Sequence, residues 1–214
     1  MLPGSTYHLF NHGNGRENLF AEHKNYDFFL NRLSLHVLPI AFVYAYCLMP
    51  NHFHLLLKIK EQKILTEYFR QLEESRVRQL IGSIEVSLPA LKLDEFELIR
   101  KISRSFSNCF NSYTQAFNKM YKRRGSLFMP NMKTEEIFNN DSFRRVVRYI
   151  HTNPVHHGFV KKIDKWPHSS YRLFLNNSSA KLKTDHVFKV FDGLDNFIKY
   201  HEDPYNHEQK WFDI

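Results

Sequence analysis

The stretch Ala41-Phe-Val-Tyr-Ala-Tyr-Cys-Leu-Met-Pro-Asn-His-Phe-His-Leu-Leu-Leu-Lys-Ile59 decides the fold. Ala41 to Tyr46 and His52 to Ile59 are dense in residues that fit a pleated, half-buried surface. Between them, Cys47-Leu-Met-Pro-Asn51 carries a proline that cannot extend a ladder, so the two runs read as a hairpin. Upstream, Thr6 to His12 reads as a strand that stops at the turn signal Gly13-Asn-Gly15. Glu22 to His36 sets Tyr26, Phe29, Leu30 and Leu33 at helical spacing, an amphipathic helix. Downstream, Glu61 to Lys101 is charge-alternating and helix-favouring, with breaks near Gly82 and Pro89, and reads as helices inserted into the core plan. Ser103 to Tyr121 repeats Phe106, Phe110, Tyr113 and Phe117 at spacings of three and four, a second core helix. Gly125 to Pro130 breaks it and leads into an extended segment toward Ile137. Ser142 to Thr152 forms a third helix, expected to end before Pro154 because a residue preceding proline avoids the helical region. This order predicts an α+β fold: a ferredoxin-like antiparallel sheet with helices packed on one face, plus the inserted helical segment.

The chain has 214 residues, 43% of them hydrophobic and 15% aromatic, with 7 Gly and 8 Pro, which excludes a disordered or low-complexity protein. The organisation expected is a core of residues 1 to 175 with the insertion at about 61 to 101, then an extension over 176 to 214. Cys47 and Cys109 have no partners at metal-ligand spacing, so neither a disulfide framework nor a cysteine-based zinc site is indicated. The first residues lack the basic and apolar regions of a signal peptide, and the longest apolar run, Val37 to Pro50, is too short to span a bilayer. A cytoplasmic protein with no membrane partner is expected. The formal net charge of +8 is unevenly spread. Lys101 to Lys165 holds 13 basic and 4 acidic side chains, while the remainder is close to neutral. Such a concentration favours a polyanionic partner.

Two constellations carry chemistry. In His52-Phe53-His54, alternation along a strand projects both imidazoles from one face, about 7 Å apart, with Phe53 on the other. That spacing can hold one metal ion, and it can equally be a polar sheet face. In Arg148-Tyr-Ile-His-Thr-Asn-Pro-Val155, Tyr149 and Asn153 are four apart on one helical face, with Arg145 a turn earlier and Val146 and Ile150 on the buried side. If this helix crosses the sheet face bearing His52 and His54, Asn153 completes a metal site beside Tyr149. The competing reading makes Tyr149 a packing residue and Asn153 a helix cap. A third element, Lys122-Arg-Arg-Gly-Ser-Leu-Phe128, is a basic cluster able to grip phosphates or to sit solvated at a helix end.

In this order the elements resemble the IS200-like single-tyrosine transposases of the HUH superfamily, in particular their REP-associated branch. The resemblance runs through Tyr7-His-Leu-Phe-Asn-His-Gly-Asn-Gly-Arg16, Leu19-Phe20, Tyr46-Cys-Leu-Met-Pro-Asn-His-Phe-His-Leu-Leu56, Arg123-Arg-Gly-Ser-Leu-Phe128, Arg148 to Val155 with His157-Gly158, and Trp166-Pro-His-Ser-Ser-Tyr171. It departs at His12, where the family commonly has Arg, and at Met129 to Lys133, where a more basic run is usual. The resemblance implies that His52 and His54 are the paired metal-binding histidines, Asn153 the helix-borne third ligand and Tyr149 the nucleophile. It implies Mg2+ or Mn2+ as cofactor. The implied activity is cleavage and rejoining of single-stranded DNA near hairpin ends through a 5'-phosphotyrosine, with a homodimer possible. Arg16, Lys122, Arg123, Arg124, Arg145 and Arg148 are the expected DNA contacts, with Lys119 and Arg144 on the same rim and Phe128 or Tyr7 as stacking candidates. The alternative is a non-catalytic module binding hairpin DNA or RNA on the same fold. A zinc hydrolase would need an acidic base beside the histidines, and no Asp or Glu flanks them in sequence.

Overall fold

A computed structural model describes residues 1–81, 93–176 and 182–203. Four strands, β1 (Thr6–His12), β2 (Ala41–Leu48), β3 (His52–Ile59) and β4 (Lys133–Ile137), form one antiparallel sheet in the order β2-β3-β1-β4. The hairpin β2-β3 turns through Met49, Pro50 and Asn51, so β2 runs two residues further than expected. Helices α1 (His23–His36) and α3 (Glu95–Met120) pack on one sheet face. Their aromatic stripes meet the inward row of β3: Phe53 lies 5.1 Å from Phe29 and 5.6 Å from Phe110, ring centre to ring centre. The strand order is that of the ferredoxin-like plan predicted from the order of elements. Helices cover both faces rather than the single face expected, because the helix Asn140–His156 buries its own apolar stripe on the other side.

Helix α2 (Gln62–Ile81), anchored by buried Leu65 and Phe69, and the first turns of α3 are the described helical parts of the insertion. The expected breaks at Gly82 and Pro89 lie outside the described residues. Helix α3 starts eight positions before the expected Ser103, because Asp94 accepts a hydrogen bond from Glu97 N–H (2.7 Å) and caps it there. Both cysteines are free and buried.

The opposite face of the sheet is crossed by α4 (Asn140–His156). Asn139 caps it by accepting from Ser142 N–H, and Phe143, Val146, Val147 and Ile150 form its buried stripe. The helix does not stop before Pro154. Asn153, the residue before it, is held in helical register by its contacts with the sheet, and the overrun closes at Gly158 (φ +71°). There Phe159 N–H donates to Pro154 O and Gly158 N–H to Val155 O, a Schellman motif that satisfies the final carbonyls.

Short helix α5 (Tyr171–Leu175), α6 (Thr184–Phe191) and α7 (Leu194–Glu202) complete the packing around α4. His168 to Ser170 and, separately, Lys183 lie along the open side of β2, where Leu48 N–H donates to His168 O, Ser170 N–H to Tyr46 O and Lys183 N–H to Val43 O. A buried chain of hydrogen bonds ties α7 to α4. His201 Nδ1–H donates to Phe197 O (2.7 Å), so its Nε2 accepts from His151 Nδ1–H (2.9 Å). His151 Nε2 then accepts from the Ser170 hydroxyl (2.8 Å). Every imidazole in this chain is neutral, and burial pushes the His201 pKa down to about 3.

That neutrality has a cost in acid. A histidine whose folded pKa lies below its unfolded value of about 6.5 leaves stability unaffected above that pH. Below it the unfolded chain takes up a proton that the folded chain refuses, at about 1.4 kcal/mol per pH unit for each such group. With His201 near 3 and His52 near 4, the denaturation midpoint in urea should stay level from pH 8 to 7 and fall steeply between pH 6 and 4. A midpoint that holds level down to pH 4.5 would contradict buried neutral histidines.

Candidate metal and tyrosine site

The site is built by strand register. In the antiparallel pairing of β1 with β3, His12 lies opposite His52, Phe10 opposite His54 and His8 opposite Leu56. Parity then places His8, Phe10, His12, His52 and His54 on one face, the face that α4 crosses. Gly13 fixes the entry to β3. Its N–H donates to Asn51 O (2.7 Å), and a Cβ there would fall 2.1 Å from the carbonyl oxygen of Glu17.

From α4, Asn153 reaches both strand histidines. Its Oδ1 is 2.9 Å from His52 Nε2 and its Nδ2 is 3.4 Å from His54 Nε2. On their outer sides, His52 Nδ1 is 2.8 Å from Asn51 Oδ1 and His54 Nδ1 is 3.0 Å from His8 Nε2. The three inward-facing side chains are buried, between 1% and 3% exposed. Tyr149, one turn before Asn153 and half-buried, sets its ring edge-on to His54 (5.3 Å) and to His8 (5.9 Å). His12 stacks on His52 at 4.8 Å, and His157, just past the helix, meets it at 4.9 Å. Burial pushes the His52 pKa down to about 4, and pushes His54 well below the usual histidine range with help from neighbouring His8. Both are therefore neutral at pH 7, the form that ligates a metal.

The residues fit a divalent ion. Ligands bonded at 2.0 to 2.1 Å stand about 3 Å apart on an octahedral edge, close to the His52 to Asn153 separation. A 2.9 Å contact between an imidazole nitrogen and an amide oxygen needs a proton or a cation between the two lone pairs. Among the described residues no group of three or more His, Cys, Asp and Glu side chains is arranged to hold a metal. The Asn153 amide is the donor that α4 places beside the two histidines.

His52, His54, Tyr149 and Asn153 thus come together as their spacing suggested. The basic residues divide. Arg16, Lys122, Arg124 and Arg145 are exposed. Arg123 is taken up in holding its own turn: it pairs with Glu17 (3.0 Å) and donates to Asn118 Oδ1 (2.9 Å) and Ser126 O (2.8 Å). Arg148 is 5% exposed and donates to Asp203 O (2.8 Å), so it is no surface phosphate contact. Neither aromatic is placed to stack on a base: Phe128 packs on Phe110 and Tyr113, and the Tyr7 hydroxyl accepts from Leu2 N–H beneath the core. The sequence reading missed His8, His12, His157 and Glu135. The first two have the same parity as His52 and His54 once β1 pairs with β3. Glu135 required the register of β4.

No family model matches the chain, and no curated protein matches it. A solved structure described as a REP-associated tyrosine transposase bound to a REP hairpin is similar to it at 18% sequence identity. The similarity covers 86% of each chain with a TM-score of 0.49. Among the described residues no helix is long and apolar enough to cross a membrane.

Proposed function

We propose that this chain is a metal-dependent DNA strand transferase that cleaves and rejoins single-stranded DNA beside a hairpin, with Tyr149 as nucleophile. One observation carries the reading: two neutral histidines and one amide converge under the ring of a half-buried tyrosine on the same sheet face. His52, His54 and Asn153 would hold Mg2+ or Mn2+, which supplies charge neutralisation at a phosphodiester and orients it for in-line attack. The chain's own part is positional. The register of β3 and the pitch of α4 set the phenol beside the ligand cluster before substrate arrives. The phenolic oxygen forms a bond to phosphorus as the bond to the 3'-oxygen breaks, and the phenol's proton passes to solvent. The leaving 3'-oxygen takes up a proton from solvent, so a 5'-phosphotyrosine and a 3'-hydroxyl result. Because the ester is conserved, a second 3'-hydroxyl reverses the step on another end, with no nucleotide required.

A hairpin oligonucleotide with a single-stranded flank, incubated with the protein and Mn2+, should yield a covalent adduct that survives denaturing electrophoresis and is absent with chelator. Tight binding with no adduct under either ion would instead establish a non-catalytic binding module.

The exposed cations make the backbone contacts in this reading. Replacing Lys122 and Arg124 together by alanine should weaken oligonucleotide binding across all sequences. It should also flatten the plot of log affinity against log salt by about 1.4, at roughly 0.7 per phosphate on a single strand. Arg123→Ala should act through the stability of the turn, lowering the melting temperature. An unchanged salt slope in the double variant would remove that surface from the DNA path.

A further inference from the structure

The sheet carries a second row of polar groups behind the ligand cluster. His8 lies between His54 and Glu135: its Nε2 is 3.0 Å from His54 Nδ1 and its Nδ1 is 3.9 Å from Glu135 Oε2. The row crosses three strands, and register fixes it, since His8 is directly opposite Glu135 on β4 and diagonal to His54 on β3. His8 is fully buried, while Glu135 is 44% exposed.

A single proton sits between His54 and His8, and two arrangements satisfy it. In one, His54 Nδ1–H donates to His8 Nε2, leaving His54 Nε2 bare and accepting from the Asn153 amide. In the other, His8 Nε2–H donates to His54 Nδ1, and His54 carries its proton on Nε2, toward the cluster. The Glu135 carboxylate decides between them. At 3.9 Å it is an ion-pair contact rather than a hydrogen bond, and its negative charge favours the proton of His8 on Nδ1, which makes His8 Nε2 the acceptor and obliges His54 to donate from Nδ1. At the far end of the chain Asn51 is exposed and its amide can turn to suit either arrangement, so it imposes no opposite preference. No net charge changes in this choice, only the nitrogen that bears hydrogen.

We propose that His8 and Glu135 are positioning residues that hold His54 in the Nδ1–H tautomer with its Nε2 lone pair turned toward Asn153. Outer hydrogen bonds of this kind set both the orientation and the basicity of a ligating imidazole. The inference rests on the metal reading above for its purpose, and on geometry alone for the tautomer.

Two measurements test it. In metal-free protein, imidazole 15N shifts should show His54 protonated at Nδ1 and bare at Nε2. Glu135→Gln, a change at a half-exposed side chain whose amide can donate to His8, should raise the population of the opposite tautomer. Titration with Mn2+ should show the dissociation constant about 10-fold higher in Glu135→Gln and about 10- to 100-fold higher in His8→Ala. Glu135→Asp should recover part of the loss, which a change in folding alone would not produce. A His54 tautomer with hydrogen on Nε2 in the wild type, or a Mn2+ affinity equal in wild type and both variants, overturns the proposal. A wild type that takes up no Mn2+ overturns the metal reading instead, and the nitrogen shifts still decide whether the relay exists.

Discussion

Tyr149→Phe is expected to leave no covalent protein–DNA adduct at all, while oligonucleotide affinity stays within about twofold, because an interaction made only in the reacting state vanishes without ground-state binding. The phenyl ring keeps the edge contacts with His8 and His54 at 5.9 and 5.3 Å, so folding should be undisturbed. Only the oxygen is lost. Mass spectrometry of the wild-type adduct after proteolysis should place the nucleotide on the peptide carrying Tyr149. Adduct formation by the phenylalanine variant at the wild-type level would move the nucleophile to another residue and end the proposed mechanism.

The second large effect is expected at the histidine pair. His52→Ala and His54→Ala should each lower Mn2+ affinity by more than about a hundredfold, beyond the range of an outer-shell change, and abolish the adduct. Both imidazoles are buried, so alanine leaves a hole and strips His8 or Asn51 of its contact. His54→Gln guards against simple unfolding, because its amide can still meet His8. A glutamine variant with a native circular dichroism spectrum and no Mn2+ binding separates ligation from stability. Full Mn2+ affinity in both alanine variants would show that the ion, if bound, lies elsewhere.

The four residues at the centre of the site were legible because their placement depends on local periodicity. Two residues along a strand restore the face, and four along a helix restore the stripe, so His52 with His54 and Tyr149 with Asn153 needed no tertiary information. What joined the two pairs was the packing of α4 across the face of β3, which the order of elements left conditional and only the family resemblance implied. Glu135 was not legible, since its meeting with His8 depends on the offset between β1 and β4, which hydrophobic alternation leaves open by steps of two. Arg123 and Arg148 misled for another reason. A guanidinium on a basic stretch reads the same whether it meets water or a carbonyl, and their partners, Glu17 and Asp203, are more than 50 positions away. Pro154 shows local preference yielding to tertiary contact: the bonds from Asn153 to β3 and the closure at Gly158 outweigh the disfavoured backbone before proline.

The strip of chain lying along β2 makes the sheet one-sided toward other molecules. With Val43, Tyr46 and Leu48 already bonded to Lys183, Ser170 and His168, no foreign strand can add there without displacing those three partners. Growth of the sheet by strand addition, whether by a second copy or in aggregation, is confined to the outer margin of β4. That margin is only five residues long, and its sequence, Lys-Thr-Glu-Glu-Ile, carries three charged side chains and contains the carboxylate that faces His8. A strand docking there would approach the ligand cluster from behind, so any self-association along the sheet would be felt at His54 through Glu135.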